Sequence, residues 1–241
     1  MKEYILGIDV ETTGLDPATA EMTEIAWAIY EVNDMQKPHV ARSYLVGIDA
    51  EEVPAEIVEL TGITTGHCEM GDEPAEALQK LFDDIQKFRV RFVVAHNGAF
   101  DIGFLTAGFT KVGIPIPALE LIDTAKDVPY PKEISTRTLR FLAVEHGFMN
   151  PFPHSALFDV FCMMRVFSCY AWQDVLDYKN EPEIIVKAHC DFHTKEKAKA
   201  ARFWWEKAGD KTFPKTWVKV VKQRELAEQS KTWDFTYEVI G

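Results

Sequence analysis

The sequence predicts an α/β chain: a mixed sheet covered by helices, followed by a small basic α+β module. Three observations carry this. Three β-rich runs come first, at residues 4–10, 23–33 and 40–48. Short apolar strand patterns at 91–96 and 119–124 then alternate with helical ones, and near residue 180 the charge balance reverses. A meander followed by strand–helix alternation produces a sheet with both antiparallel and parallel members.

Each element has a local reason. Tyr4 to Val10 is apolar and ends in a Thr12–Thr13–Gly14 turn, with Leu6, Ile8 and Val10 at core positions. Residues 23–33 and 40–48 are joined by a polar loop. Helices are expected at about 54–61 and 74–88, the second because Ala75, Leu78, Leu81, Phe82 and Ile85 keep a 3.6-residue period. Arg91 to His96 reads as a short buried strand. Further helices are expected at about 99–112, 136–146 and 155–176, with the strand 119–124 among them. Tyr178 to Glu183 is polar and holds Pro182, so the boundary falls there: a domain over 1–180 and a module over 181–241.

A chain of 241 residues can bury one sizeable core plus a small appendage. At 47% apolar and 27% charged it has the composition of a soluble globular protein. No apolar run approaches the ~20 residues that cross a bilayer, so no membrane association is expected. Met1 to Tyr4 leads directly into a strand, without the pattern of a signal peptide. The four cysteines show no CxxC pair and no zinc-ligand spacing, and read as reduced thiols of a cytoplasmic protein. Cys162 and Cys169, seven apart on an apolar helix, have core spacing. The net charge of −12 by itself argues against a polyanionic partner, but the distribution of charge points the other way. Residues 1–180 hold 14 Lys+Arg against 28 Asp+Glu, whereas 187–224 hold 11 against 4.

The chemistry begins at Asp9 and Glu11. A strand projects residues i and i+2 from one face, so these carboxylates leave the strand side by side. Adjacent like charges are costly to desolvate, and a divalent cation is the usual remedy. Two further segments carry unusual polar groups. Val93 to Asp101 is a buried-type strand ending in a polar turn with His96 and Asn97, after which Asp101 opens a helix whose Ile102, Leu105 and Phe109 face a core. In Pro151 to Asp159, Asp159 sits among Leu157, Phe158, Val160 and Phe161 and needs a partner. His154 is placed on the proline-flanked loop entering that helix, where it can swing over a site that Asp159 anchors. Singly, each has an ordinary explanation: a solvated strand end, a turn former, a carboxylate at a helix N-terminus.

Together they have family order. DxET at 9–12, NGAFD at 97–101 and HSALFD at 154–159 resemble the three motifs of the DEDDh 3′–5′ exonucleases, which include the proofreading subunit of bacterial replicative DNA polymerase, ribonuclease T and oligoribonuclease. The resemblance covers roughly residues 1–175, with Leu60 to Ile63 and Asp123–Thr124 as further landmarks. It implies a ribonuclease H-like fold, a mixed five-stranded sheet with its acidic groups gathered at one end. It further implies that Asp9, Glu11 and Asp159 hold one Mg²⁺ or Mn²⁺. Asp9 shares a second ion with Asp101, making two ions per active site. His154 becomes the general base, the main chain around Thr12 receives the terminal nucleotide, and Leu15 packs on a base. His96 is then a hydrogen-bonding residue beside the cleft, and Asn97 a substrate contact. The implied activity is metal-dependent hydrolysis from the 3′ end of single-stranded nucleic acid, with DNA favoured and nucleoside 5′-monophosphates released. Proofreading would require a polymerase or repair partner in trans. An exoribonuclease trimming RNA ends or short oligoribonucleotides is the alternative, and a non-catalytic nucleic-acid-binding protein is the second.

The basic module has its own pattern. A helix from about Thr194 to Ala208 would align Lys195, Lys199 and Arg202 on one face, beside an apolar stripe of Ala198, Ala201, Trp205 and Ala208. Strand alternation over 215–222 puts Lys215, Trp217 and Lys219 together. Lysines interleaved with an aromatic track phosphates while a base stacks, so Lys195, Lys199, Arg202 and Trp217 are expected to touch nucleic acid, with Trp205 in the core. The ordinary alternative is a small module whose tryptophans are core and whose lysines are solvated.

Overall fold

In the computed structural model, which describes residues 2–134, 136–207 and 215–240, strand β1 (Tyr4–Thr12) is the centre of the first sheet. It pairs antiparallel with β2 (Met22–Glu31), which pairs antiparallel with β3 (Val40–Leu45). Three helices follow: α1 (Ala55–Thr61), α2 (Thr65–Glu69) and α3 (Pro74–Phe88). Strand β4 (Phe92–Ala95) then runs parallel to β1, α4 (Ala99–Val112) crosses over, and β5 (Glu120–Asp123) runs parallel to β4. The order is β3-β2-β1-β4-β5, a mixed ribonuclease H-like sheet. Helices α5 (Leu139–Glu145), α6 (Ala156–Phe167) and α7 (Trp172–Lys179) complete the unit, which ends at Lys179.

Because β1 is covered on both faces, it reads as nearly continuous apolar sequence rather than as alternation. Its even positions Leu6, Ile8 and Val10 join Leu78, Leu81, Phe104, Leu105 and Phe109 of α3 and α4. Ile5, on the odd face, meets Val160, Met163, Met164 and Phe167 of α6. Gly7 lies on that odd face, where a Cβ would stand 2.7 Å from Met164 Cγ and 2.8 Å from its Sδ. The missing side chain lets α6 sit against the strand that carries Asp9 and Glu11.

The structure alters several expectations. Helix 155–176 is two helices: α6 stops at Phe167, where Ser168 Oγ donates to Arg165 O, and α7 begins at Trp172. The break turns Trp172 edge-on to Phe92, with centroids 5.0 Å apart, and leaves Cys169 exposed rather than in the core. All four thiols are unpaired. Helix α2 was not expected, its five residues being too few to show a period.

The second unit, Asn180–Gly241, is a four-stranded antiparallel sheet of order β7-β8-β6-β9. Its strands are β6 (Glu183–Ala188), β7 (Trp204–Lys207), β8 (Lys215–Lys222) and β9 (Tyr237–Val239), with helices α8 (Lys195–Ala200) and α9 (Gln223–Gln229). Val186, Ala188, Ala198, Phe203, Trp217 and Val221 form its core. The helix expected over 194–208 is therefore cut short. Arg202 adopts φ 61°, and Phe203 N donates back to Ala198 O, which closes α8 without a glycine. Trp204 to Lys207 then pairs with β8 as strand, and Ala208 lies outside the described residues. Among the described residues no helix is long and apolar enough to cross a membrane.

Gly7→Val tests the helix seat. Overpacking of this kind costs roughly 1–3 kcal/mol, so the urea midpoint should fall with an unchanged slope. An unaltered midpoint would mean that α6 has room to retreat.

Candidate active site

The site forms where β1 outruns its parallel neighbour. The rungs between β1 and β4 end at Gly7 opposite Val94, so the next part of β1 projects beyond β4. Val10 N finds its acceptor on a side chain instead: it donates to Asp101 Oδ1 at 3.1 Å. Asp101 is 2% exposed and lies in the first turn of α4. The turn that delivers it is tight. At Gly98 a Cβ would meet Leu121 Cδ1 at 2.6 Å. Asn97, at φ 58°, donates its N–H to Asp123 Oδ1 at 3.0 Å, and His96 Nδ1 lies 2.9 Å from Thr124 Oγ1. Asp123 and Thr124 thus hold the loop after β4.

Asp159 comes from the first turn of α6. Its Oδ1 accepts from Asn150 Nδ2 at 2.7 Å and its Oδ2 from His154 N at 2.8 Å. That backbone bond folds the loop back on the helix and holds His154 at φ 64°, with its side chain exposed. Ligating atoms of Glu11, His154 and Asp159 all lie within 4.8 Å of one another. On the other side, Thr12 is buried and its Oγ1 donates to Gly14 O, while Leu15 stands 85% exposed.

Electrostatically the cluster is frustrated. Burial first, then Asp101, Glu11 and Asp159, push the Asp9 carboxyl well above its usual range. Burial, followed by Asp159, Glu24 and Asp101, pushes Glu11 up to about 8. Asp101 rises to about 7, chiefly through burial and against the hydrogen bond from Val10. Asp159 is raised by burial, opposed by His154 N. The charges raising Asp9 and Glu11 are all carboxylates. Such a crowded set of oxygen donors has the chemistry of a divalent-cation site, and Glu11, His154 and Asp159 are close enough together to hold one ion.

The family model described as Exonuclease (RNase_T) matches residues 6–167. The chain belongs to this exonuclease family. That family is dependent on divalent metal. Over 126 residues the chain is 34% identical to DNA polymerase III PolC-type of Streptococcus pyogenes, covering 52% of this chain and 8% of that one. With the PolC-type protein of Mycoplasmopsis pulmonis it shares 32% over 123 residues, 51% of this chain and 8% of the other. The chain therefore spans less than a tenth of the length of these curated relatives. Among solved structures it resembles the nuclease domain of 3′hExo, a DEDDh family member bound to rAMP. The TM-score is 0.59 at 18% identity, over 69% of this chain and 90% of that one. The zinc-bound E. coli ExoI–ssDNA complex gives 0.59 at 15%, over 75% and 41%. At such identities these two speak for the fold.

Glu24 escaped the sequence reading. It faces Glu11 across the β1–β2 ladder and is 8% exposed. Its Oε1 accepts from Ser43 Oγ, and its Oε2 accepts from Ala156 N at 3.0 Å, which ties the N-terminus of α6 to the sheet. The available signal was a glutamate immediately ahead of the apolar stretch Ile25 to Tyr30.

The C-terminal candidates belong to the second unit. Lys199 pairs with Glu196 at 2.8 Å, and Lys195 Nζ lies 3.8 Å from the centroid of the Phe192 ring. Arg202 follows the end of α8, so it continues no helical face with the two lysines. Trp217 is 8% exposed and belongs to the core, whereas Trp205, expected in the core, is 53% exposed. Which face of β8 is covered reverses the two roles: α8 and Phe203 pack on the Trp217 side.

The acids also set how stability depends on pH. For Glu11 and Asp101 the folded state holds protons that the unfolded chain releases near its ordinary carboxylate range, so their contribution to metal-free stability is fully present below about 4 and is lost as pH rises toward 7–8. Calorimetry in chelator should show a melting temperature declining over this window, and Mg²⁺ should raise it more at pH 8 than at pH 5. A metal-free melting temperature that climbs across the window contradicts this electrostatic account. At the helix tie, Glu24→Ala orphans the buried Ala156 N–H and should cost roughly 1–3 kcal/mol in urea unfolding. Glu24→Gln keeps an acceptor oxygen and should lose less than half as much, and equal losses would remove the hydrogen bond from the explanation.

Proposed function

We propose that the chain removes nucleoside 5′-monophosphates one at a time from the 3′ end of single-stranded DNA. The observation that carries this reading is the convergence of Glu11, His154 and Asp159 within 4.8 Å, with buried Asp101 and half-buried Asp9 adding their charge to the cluster. In the reaction a water oxygen attacks the terminal phosphorus, the bond from phosphorus to the 3′ oxygen breaks, and the phosphate leaves on the 5′ carbon of the released nucleotide. An imidazole nitrogen of His154 takes the proton from the attacking water, a task suited to a ring nitrogen with an available lone pair. His154 is exposed on its loop, tethered through its own backbone to Asp159, so its ring can approach the water while its main chain stays fixed. Two Mg²⁺ or Mn²⁺ ions, held by Asp9, Glu11 and Asp159 with Asp101 assisting at the second, would supply the positive charge that stabilises the attacking and leaving oxygens.

Thr12, with its side chain bonded to Gly14 O, fixes the main chain that receives the terminal nucleotide, and exposed Leu15 offers an apolar surface to its base. Asn97, at the exposed turn before α4, contacts the strand behind it. DNA is favoured because the PolC-type relatives are named as DNA polymerases, and the same relatives support a polymerase context. The four unpaired thiols support a reducing, cytoplasmic setting. RNA is the second reading, supported by a neighbour described as a 3′-exonuclease recognising the histone mRNA stem-loop.

The test uses 5′-labelled single-stranded DNA and RNA of equal sequence, resolved on a denaturing gel over time. A ladder that shortens from the 3′ end, absent in chelator and faster on DNA, is expected; faster RNA shortening would install the second reading. Glu11→Gln should reduce the rate by more than about 1,000-fold and His154→Ala by roughly 100- to 10,000-fold. A Glu11→Gln protein with full activity would remove the acidic cluster from the chemistry.

A further inference from the structure

The unit beyond residue 179 has an exposed aromatic recess outside the family match, which stops at residue 167. Cys190, Asp191, Phe192, Lys195, Trp205 and Trp217 line a cavity of about 250 Å³. Trp217 forms its floor, seated in the core, and Trp205 packs against it with ring centroids 5.3 Å apart at 61°. Trp205 nevertheless leaves 53% of its surface in water, and Phe192 leaves 74%. Two large aromatics exposed beside a recess add little to folding, since their apolar area stays hydrated.

The polar groups at the rim restrict what can enter. Of the lysines on α8, Lys197 is paired with Asp234 at 2.6 Å and Lys199 with Glu196 at 2.8 Å. Lys195 has no such carboxylate among the described residues; its ammonium lies over the Phe192 ring. Asp191 is turned into its own loop, where Oδ1 accepts from His193 N, Thr194 N and Thr194 Oγ1. A cation over the aromatic rim repels cationic ligands and attracts an anion beside a flat ring. The segment 187–224, with 11 Lys+Arg against 4 Asp+Glu, favours a polyanion.

We propose that this recess stacks one unpaired base of a single-stranded polynucleotide on Trp205, with Phe192 at its edge and Lys195 on the adjoining phosphate. The inference rests on the nuclease reading for the class of polymer and adds a second place where that polymer is held. Stacking on an aromatic ring accepts any base, so the recess contributes affinity and not sequence preference.

The test measures anisotropy of a fluorescein-labelled oligothymidylate with the full chain in chelator, alongside metal-supported hydrolysis of the nitrophenyl ester of thymidine monophosphate, which spans a single nucleotide. Trp205→Ala should weaken oligomer binding by about 5- to 50-fold while ester hydrolysis stays unchanged. Trp205→Phe, which keeps a stacking face, should bind within about 3-fold of the parent, and Lys195→Ala should lower the salt dependence by about one phosphate contact. Oligomer binding unaffected by Trp205→Ala overturns the proposal, as does a Trp205→Phe loss equal to that of alanine. Unchanged oligomer affinity with a shift in molecular mass would reassign the aromatic face to contact between copies, which also overturns it. The two readings fail separately: a parent chain that hydrolyses neither substrate, yet loses oligomer binding on Trp205→Ala, refutes the nuclease and keeps the stacking site. Normal hydrolysis with unaltered binding does the reverse.

Discussion

Like charges held together at the end of a buried strand are the constraint around which the first unit is organised. Asp9, Glu11, Asp101 and Asp159 are all driven toward their protonated forms, chiefly by burial and for Asp9 and Glu11 also by neighbouring carboxylates. A chain left to itself would move these groups apart. Three features oppose that: the two apolar cores that clamp β1, the backbone donors Val10 N and His154 N, and the amide of Asn150. Each donor binds a carboxylate while leaving other oxygen lone pairs available to a cation. The apolar packing supplies the stability that the cluster consumes, a division common to sites whose function needs strain.

Much of this was legible in the residues. Strand alternation places Asp9 and Glu11 together, and an aspartate among Leu157, Phe158, Val160 and Phe161 announces a partner. The loop position of His154 followed from its flanking prolines. Glu24 was not legible, because a single glutamate in a strand looks the same whether it faces solvent or ties down a helix; only the pairing register opposite Glu11 distinguishes them. The break between α6 and α7 was hidden for a similar reason, since Ser168 has no strong helix-breaking character and acts through one hydrogen bond. In the second unit, α8 ends on a left-handed arginine where sequence patterns look for glycine. That misplaced end carried Trp205 into an imagined helical core and left Trp217 outside it. Alternation identifies which residues share a face of β8, but the covering helix decides which face is dry.

The two units differ in what their aromatic residues do. In the first, Trp27 is wholly buried and its Nε1 donates to Asp84, which also binds Arg42, so a tryptophan and an arginine satisfy a carboxylate facing the sheet. In the second, Trp205 remains in water beside a lysine without a carboxylate partner among the described residues. The family match covers the acid-bearing fold alone. The smaller unit is distinguished by its own chemistry: on α8, Lys197 and Lys199 are paired with carboxylates while Lys195 lies over an aromatic ring.

Helix α6 is fastened at two points along its length. Its first residue, Ala156, hangs from Glu24, and Met164 sits in the notch left by Gly7. Asp159 lies between them, like a load carried mid-span on a beam supported at both sides. His154 lies beyond the first support, on an overhang bonded to that same aspartate through His154 N and Asn150 Nδ2. The aspartate is thereby steadied by the helix that carries it, while the imidazole of His154 stands in solvent at the end of its loop.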